Sequence, residues 1–148
     1  MCNEYYSWPD AEEQKALATE FQKRYKLLSA ILVADGTTFP LMFRPNCEDA
    51  PDYHGQKDGY TITSLIFSDI NCKICYYTSG WARSAHDNQI WRNCKVGCNQ
   101  KDFFSANEYM IGDSAFDNGP QMITTYQAPT GGMLHGSKKK FNDIISSP

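Results

Sequence analysis

Three aspartates have the chemistry and the setting to act together. Asp35 closes the apolar run Ala30–Ala34, Asp113 closes Tyr109–Gly112, and Asp87 lies between them in Ser84-Ala85-His86-Asp87. Carboxylates are the hard oxygen ligands that Mg²⁺ and Mn²⁺ take. Phosphodiester cleavage uses such ions in pairs about 3.5–4 Å apart, clamping the attacking and leaving oxygens. Each acid also has an ordinary explanation. Asp before Gly is a common turn former. Ser84-Ala85-His86-Asp87 fits a capping box, with Ser84 as N-cap and Asp87 at the third helical position. No glutamate follows Glu108.

The elements that must position these acids are legible in the patterning. Residues 7–27 read as a helix capped by Ser7, with Pro9 and three acids in its first turns and Lys23, Arg24 and Lys26 at its far end, as the helix dipole favours. Leu17, Phe21, Tyr25 and Leu28 repeat at helical spacing and form its buried stripe. Ile31–Ala34 is a short continuous apolar run, as in a strand covered on both faces; Asp35-Gly36-Thr37 reads as its turn, and Phe39–Phe43 as a second short strand. Residues 44–58 read as loop, Tyr60–Ile70 as a strand and Lys73–Thr78 as its hairpin partner. Ser79–His86 reads as a polar loop and Asp87–Val96 as a helix with Ile90, Trp91 and Cys94 on its apolar face. Glu108–Gly112 reads as a strand, Met122–Tyr126 as a weaker one, and Phe141–Ile145 as the start of a helix. A meander, a crossover helix and a strand parallel to the first make a mixed α/β sheet with flanking helices. A right-handed crossover sets the Asp35 and Asp113 strands side by side, and function in such sheets collects at the carboxyl ends of neighbouring strands.

Composition bounds the reading further. The 148 residues are 41% hydrophobic and 14% aromatic, enough for one folded domain with its own core. A net charge of −3 argues against a strongly basic nucleic-acid binder but leaves room for a local patch; Lys138-Lys139-Lys140 is the one sharp basic run and reads as a solvated helix start or loop. No stretch reaches the roughly 20 apolar residues a bilayer requires, and Met1-Cys2-Asn3-Glu4 carries no secretory pattern. Six cysteines without such a pattern fit free thiols in a reducing compartment. A competing reading uses four of them: Cys72 and Cys75, then Cys94 and Cys98, have spacing close to that of a zinc-stapled binding module. Against it, Cys72 and Cys75 fall on opposite sides of a strand, and Cys94 is explained by packing beside Trp91. Trp8, Trp81 and Trp91 read as core or loop anchors.

Several blocks carry a family resemblance. Asp35-Gly36-Thr37-Thr38-Phe39-Pro40, the segment Asp52–Tyr60, Gly80–Trp91 with its His86-Asp87, Gly112-Asp113-Ser114-Ala115-Phe116 and Phe141-Asn142 resemble, in order, the blocks of the Harbinger-type DDE transposase-derived nucleases. The resemblance implies an RNase H-like α/β fold and a metal-dependent enzyme that cleaves and joins DNA strands. Under it Asp35 and Asp113 are the catalytic metal ligands for Mg²⁺ or Mn²⁺, and Asp87 is a further metal-site acid. It divides the chain into a helical lead-in, 1–28, and a nuclease domain, 29–148. It also implies DNA as substrate, a nuclear location, and a DNA-binding partner protein that supplies target recognition. Arg83 stands where the family usually has glycine, and Gln56 where it usually has arginine. The family's final glutamate, on the helix after Phe-Asn, has no counterpart here, and Asp143 falls too early to replace it. The resemblance therefore implies a domain lacking its last catalytic helix, with little or no DNA nicking. The alternative it leaves is a non-catalytic protein that keeps the fold and binds DNA or a protein partner.

Overall fold

The computed structural model describes residues 6–55 and 59–145. Cys2, the segment Gln56-Lys57-Asp58 and the last three residues, on which parts of the sequence reading fall, lie outside the described residues. The first helix, α1, spans Ala11–Tyr25, shorter at both ends than expected. Asp10, not Ser7, caps it: its Oδ1 accepts from the Glu12 and Glu13 amides at 2.9 Å, and the Glu13 carboxylate accepts from the Asp10 amide at 2.9 Å. That reciprocal box stabilises the helix by about 1 kcal/mol. Lys26, in the left-handed region at φ 62°, ends it. Phe21 is buried as the stripe requires, but Leu28 is 64% exposed and Leu27 takes its place in the core, because the left-handed turn at Lys26 breaks the helical phase.

Five strands follow: β1 (Ala30–Leu41), β2 (Tyr60–Ser68), β3 (Ile74–Ala82), β4 (Tyr109–Gly112) and β5 (Met122–Thr124). They lie in the order β3-β2-β1-β4-β5. The first three form an antiparallel meander, and β4 and β5 run parallel to β1. This is the mixed α/β, RNase H-like arrangement expected from the sequence, with helices on both faces. Two strands are longer than expected. Asp35-Gly36-Thr37 is no turn: β1 runs straight through it to Leu41, absorbing the separate strand expected at Phe39–Phe43. β3 continues through the expected loop to Ala82, with Gly80 at φ 93°. A short 3₁₀ turn, Ala50–Tyr53, interrupts the long loop between β1 and β2.

Two clusters fill the faces. One gathers Leu32, Ala34, Leu65, Phe67, Ile90, Trp91 and Met110 between the sheet and α2 (Asp87–Asn93). The other gathers Phe21, Leu27 and Ile111, with Val33 and the α5 (Gly136–Ile145) residues Phe141, Ile144 and Ile145 packed against it. Each fully buried Leu, Ile, Phe or Met contributes about 1.5–3 kcal/mol. The crossover helix is broken into α2, α3 (Lys95–Cys98) and α4 (Gln100–Phe103). Gly97 packs so closely on the Trp91 carbonyl that any Cβ there would collide, and Cys94 caps α3 by accepting from the Gly97 amide at 3.3 Å. Trp8 anchors the segment before α1: its Nε1 donates to the Phe103 carbonyl at 2.7 Å, and its ring stands edge-on to Phe67, Tyr76, Phe103 and Phe104. Buried Gln14 adds a polar tie that periodicity could not show, donating to the Pro9 and Phe103 carbonyls and accepting from Ser105. No helix among the described residues is long and apolar enough to cross a membrane.

Candidate metal centre

The register of β1 and β4 decides where the acids meet. Leu32 pairs with Met110 and Val33 with Ile111 in parallel, so two residues further on Asp35 stands beside Asp113. Neighbouring strands lie about 4.8 Å apart. Val33 and Ile111 pack in the α5-side cluster, and side chains two apart in a strand share a face, so Asp35 turns to that side. β4 ends at Gly112 while β1 runs on to Leu41 paired only with β2. From Asp35 onward the β4-side edge of β1 is therefore open.

Asp113 opens the turn after β4. Its Oδ1 accepts from the Ala115 amide at 2.8 Å, an Asx turn that fixes the carboxylate. Gly112 is required here, because a Cβ would lie 2.7 Å from the Phe116 ring and 2.8 Å from the Met122 sulfur. The Gly-Asp-Ser-Ala-Phe block is thus a packed turn, with Phe116 folded back under the strand end. Beyond it, Asp117 pairs with Arg92 of α2 and its amide donates to Asn88 Oδ1 at 3.1 Å. The Asn88 side chain and the Arg92 charge hold the Asp117 carboxyl below the usual range. The Asp113 turn is thereby tied to the helix that carries Asp87.

Asp87 reaches the same region from the α2 face. The expected capping box does not form. His86 is the N-cap, Asp87 is the first helical residue, and neither supplies a side-chain cap. The Ser84 amide instead donates to the Asp52 carbonyl at 3.2 Å. The Asp87 carboxylate sits over Gly36: a Cβ on residue 36 would lie 2.5 Å from Asp87 Oδ2. The glycine that reads as a turn signal is therefore a notch in a strand, and it admits the acid. Burial pushes the Asp87 carboxyl up, and the negative charges of Asp113 and Asp35 push it further, against smaller opposing effects of His86 and Arg83. All three predicted acids thus act on one neighbourhood. Among the described residues, however, no three of His, Cys, Asp and Glu are gathered closely enough to hold an ion.

The remaining candidates lie elsewhere. Asp143 is exposed on α5. Phe141 and Asn142 have structural work: the ring packs edge-on against Tyr126, and the amide pairs with both the Tyr126 N–H and its carbonyl at 2.9 and 2.8 Å. Cys72 and Cys98 are exposed while Cys75 and Cys94 are buried, all as free thiols. His54 stands edge-on to Tyr60. A polar cleft of about 340 Å³ adjoins Asp87, lined by Gly36, Thr38, Thr63, Arg83 and Ala115 among others; Thr63 and its cleft were not singled out by the sequence, where a threonine in a strand reads only as strand composition.

The sequence pattern of one family, described as DDE superfamily endonuclease, matches residues 34–148. No curated protein and no solved structure matches the chain.

Proposed function

The chain belongs to the DDE superfamily endonucleases, and from that premise we propose that it is a metal-dependent, phosphodiester-cleaving domain of the Harbinger type acting on DNA. The domain is residues 29–148, with 1–28 as its helical lead-in. The observation that supports the reading is the parallel pairing of β1 and β4, in which Asp35 and Asp113 each follow the last pair, Val33–Ile111, by two residues, with Asp87 seated against Gly36.

The donor set fits a hard divalent cation. Mg²⁺ keeps several waters and takes one or two protein carboxylates together with substrate phosphates, so an Asp35–Asp113 pair suffices without a third gathered ligand. When bound, Mg²⁺ or Mn²⁺ supplies Lewis-acid polarisation of the phosphate and a water of lowered pKa. The chain's own contribution is positional. Asp35 is held by a strand paired along β2, Asp113 by its bond from the Ala115 amide, and the Arg92–Asp117 pair keeps the Asp113 turn on α2. Asp87 adds negative charge where its own carboxyl is already raised, which favours a cation in that neighbourhood. With a net charge of −3, the chain leaves target selection to a DNA-binding partner protein, and action on DNA calls for a nuclear location.

A supercoiled-plasmid nicking assay with Mg²⁺ or Mn²⁺, paired with a gel shift, tests this reading. Nicking that requires the metal and disappears in Asp113→Ala supports it and overturns the expectation of little or no nicking drawn from the missing final glutamate. Nicking that persists in that variant, or needs no metal, overturns it. DNA binding without cleavage under either metal favours the non-catalytic alternative.

A further inference from the structure

The cleft beside the acids has chemistry that the metal ligands do not use. Thr63 pairs with Thr38 across β1 and β2. It lies two residues before Leu65, on the α2 face of the sheet. Both threonines and Gly36 line the cleft, whose rim is the turn Arg83–His86. Thr63 is 5% exposed, and its hydroxyl oxygen is buried with no hydrogen-bond partner. Buried hydroxyls are ordinarily satisfied, and one left alone is costly. Arg83 lines the same cleft, exposed and outside both salt bridges found among the described residues. Its charge reaches Asp87, whose carboxyl it lowers against the stronger upward effects. The turn that presents it is fixed by Ser84 N–H to the Asp52 carbonyl and Ala85 N–H to the Ala82 carbonyl, at 3.2 and 3.0 Å. Ala115, two residues past Asp113, closes the other end. An exposed guanidinium on a hydrogen-bonded turn and an unpartnered hydroxyl line one cleft beside Asp87, a set of donors that suits an anion with several acceptor oxygens.

We propose that Arg83 and Thr63 form a phosphate-positioning subsite that holds a DNA backbone phosphate next to the one being cleaved. The proposal rests on the nuclease reading and adds to it a contact made by Arg83, which stands where the resembling family usually has glycine. The guanidinium supplies two parallel donors and the Thr63 hydroxyl a third. The contact fixes the strand relative to Asp35 and Asp113 and reads no base.

The test is DNA affinity by fluorescence anisotropy on the full chain, with Ca²⁺ present and salt varied. Arg83→Ala weakens duplex binding roughly tenfold, irrespective of sequence. It also lowers the slope of log affinity against log salt by about 1. Arg83→Lys restores the slope but not the full affinity, because it keeps the charge and loses the fork. Thr63→Val leaves thermal stability unchanged or raised, since it removes an unsatisfied hydroxyl without changing shape, yet weakens DNA binding. Unchanged affinity and slope in Arg83→Ala, or a Thr63→Val protein that loses stability, would overturn the subsite. So would displacement of DNA by inorganic phosphate at matched ionic strength, which would assign the site to a free anion. Mn²⁺ affinity, read separately by calorimetry, is not weakened in Arg83→Ala, because the variant removes a positive charge that acts on Asp87. Failure of the metal reading would show instead as Mn²⁺ affinity indifferent to Asp35 and Asp113.

Discussion

Strand β1 has two halves with opposite surroundings. Ala30–Ala34 lies under helices on both faces, beside β4 on one edge, and Ala30, Ile31, Leu32 and Ala34 are all buried. Asp35–Leu41 continues the same strand in the same register with β2, but its other edge is open and Thr38, Phe39 and Pro40 are exposed. Pro40 fits there because a strand edge does not need its missing N–H. The change from buried core to open edge therefore comes not from the end of β1 but from the end of its neighbour. Where β4 stops, Asp35 follows on the strand, Asp113 lies in the turn after β4, and Asp87 comes from the helix over the opposite face.

Breaking each half separately sharpens that contrast. The largest effect falls on the buried half: Leu32→Ala lowers unfolding free energy by about 2–5 kcal/mol, whereas Thr38→Ala changes it by less than about 0.5 kcal/mol; urea titration reads both. The second falls on activity. Losing a residue that merely orients a metal ligand typically costs 10–100-fold in metal affinity, so loss of a direct ligand in Asp35→Ala or Asp113→Ala weakens Mn²⁺ binding by roughly 100-fold or more, and lowers any metal-dependent nicking with it. Gly36→Ala comes third. Its methyl enters the space of the Asp87 carboxylate, so that side chain swings away at a cost of about 1–3 kcal/mol, and Mn²⁺ binding weakens with little other change to the fold.

The smallest effect is a pH signature. The Asp87 carboxyl is raised in the folded protein, by burial first and then by Asp113 and Asp35. Its stabilising contribution is therefore fully present below the unfolded carboxylate pKa and is lost as pH rises through the folded value. Asp87→Asn removes that loss. In metal-free buffer it melts above wild type at pH 7, and the gap closes under acid, where Asp87 is protonated. Melting curves at the two pH values check both the sign and its disappearance.

The strand order and the parallel adjacency of β1 and β4 were legible because both rest on patterns that the chain carries locally. An apolar run covered on both faces, a meander and a crossover leave few arrangements. What escaped the sequence depended on partners far along the chain. Gly36 looked like a turn because the reason for a glycine there is Asp87, fifty-one residues away. Ser84 matched a capping box, but its backbone is committed to Asp52. The crossover read as one helix because nothing local announces that Gly97 must clear the Trp91 carbonyl. Phe141-Asn142 was readable as a motif, while its grip on Tyr126 required the fold.

The central claim is that Asp35 and Asp113 hold a divalent cation where β4 ends. Calorimetric titration of Mn²⁺ into the wild-type chain, Asp35→Asn and Asp113→Asn tests it most directly, because asparagine at 113 keeps the acceptor for the Ala115 amide and removes only the charge. Saturable Mn²⁺ binding is expected in the wild type, weakened at least about tenfold in each variant, with melting temperatures close to wild type. Mn²⁺ affinity that is the same in all three proteins would contradict it.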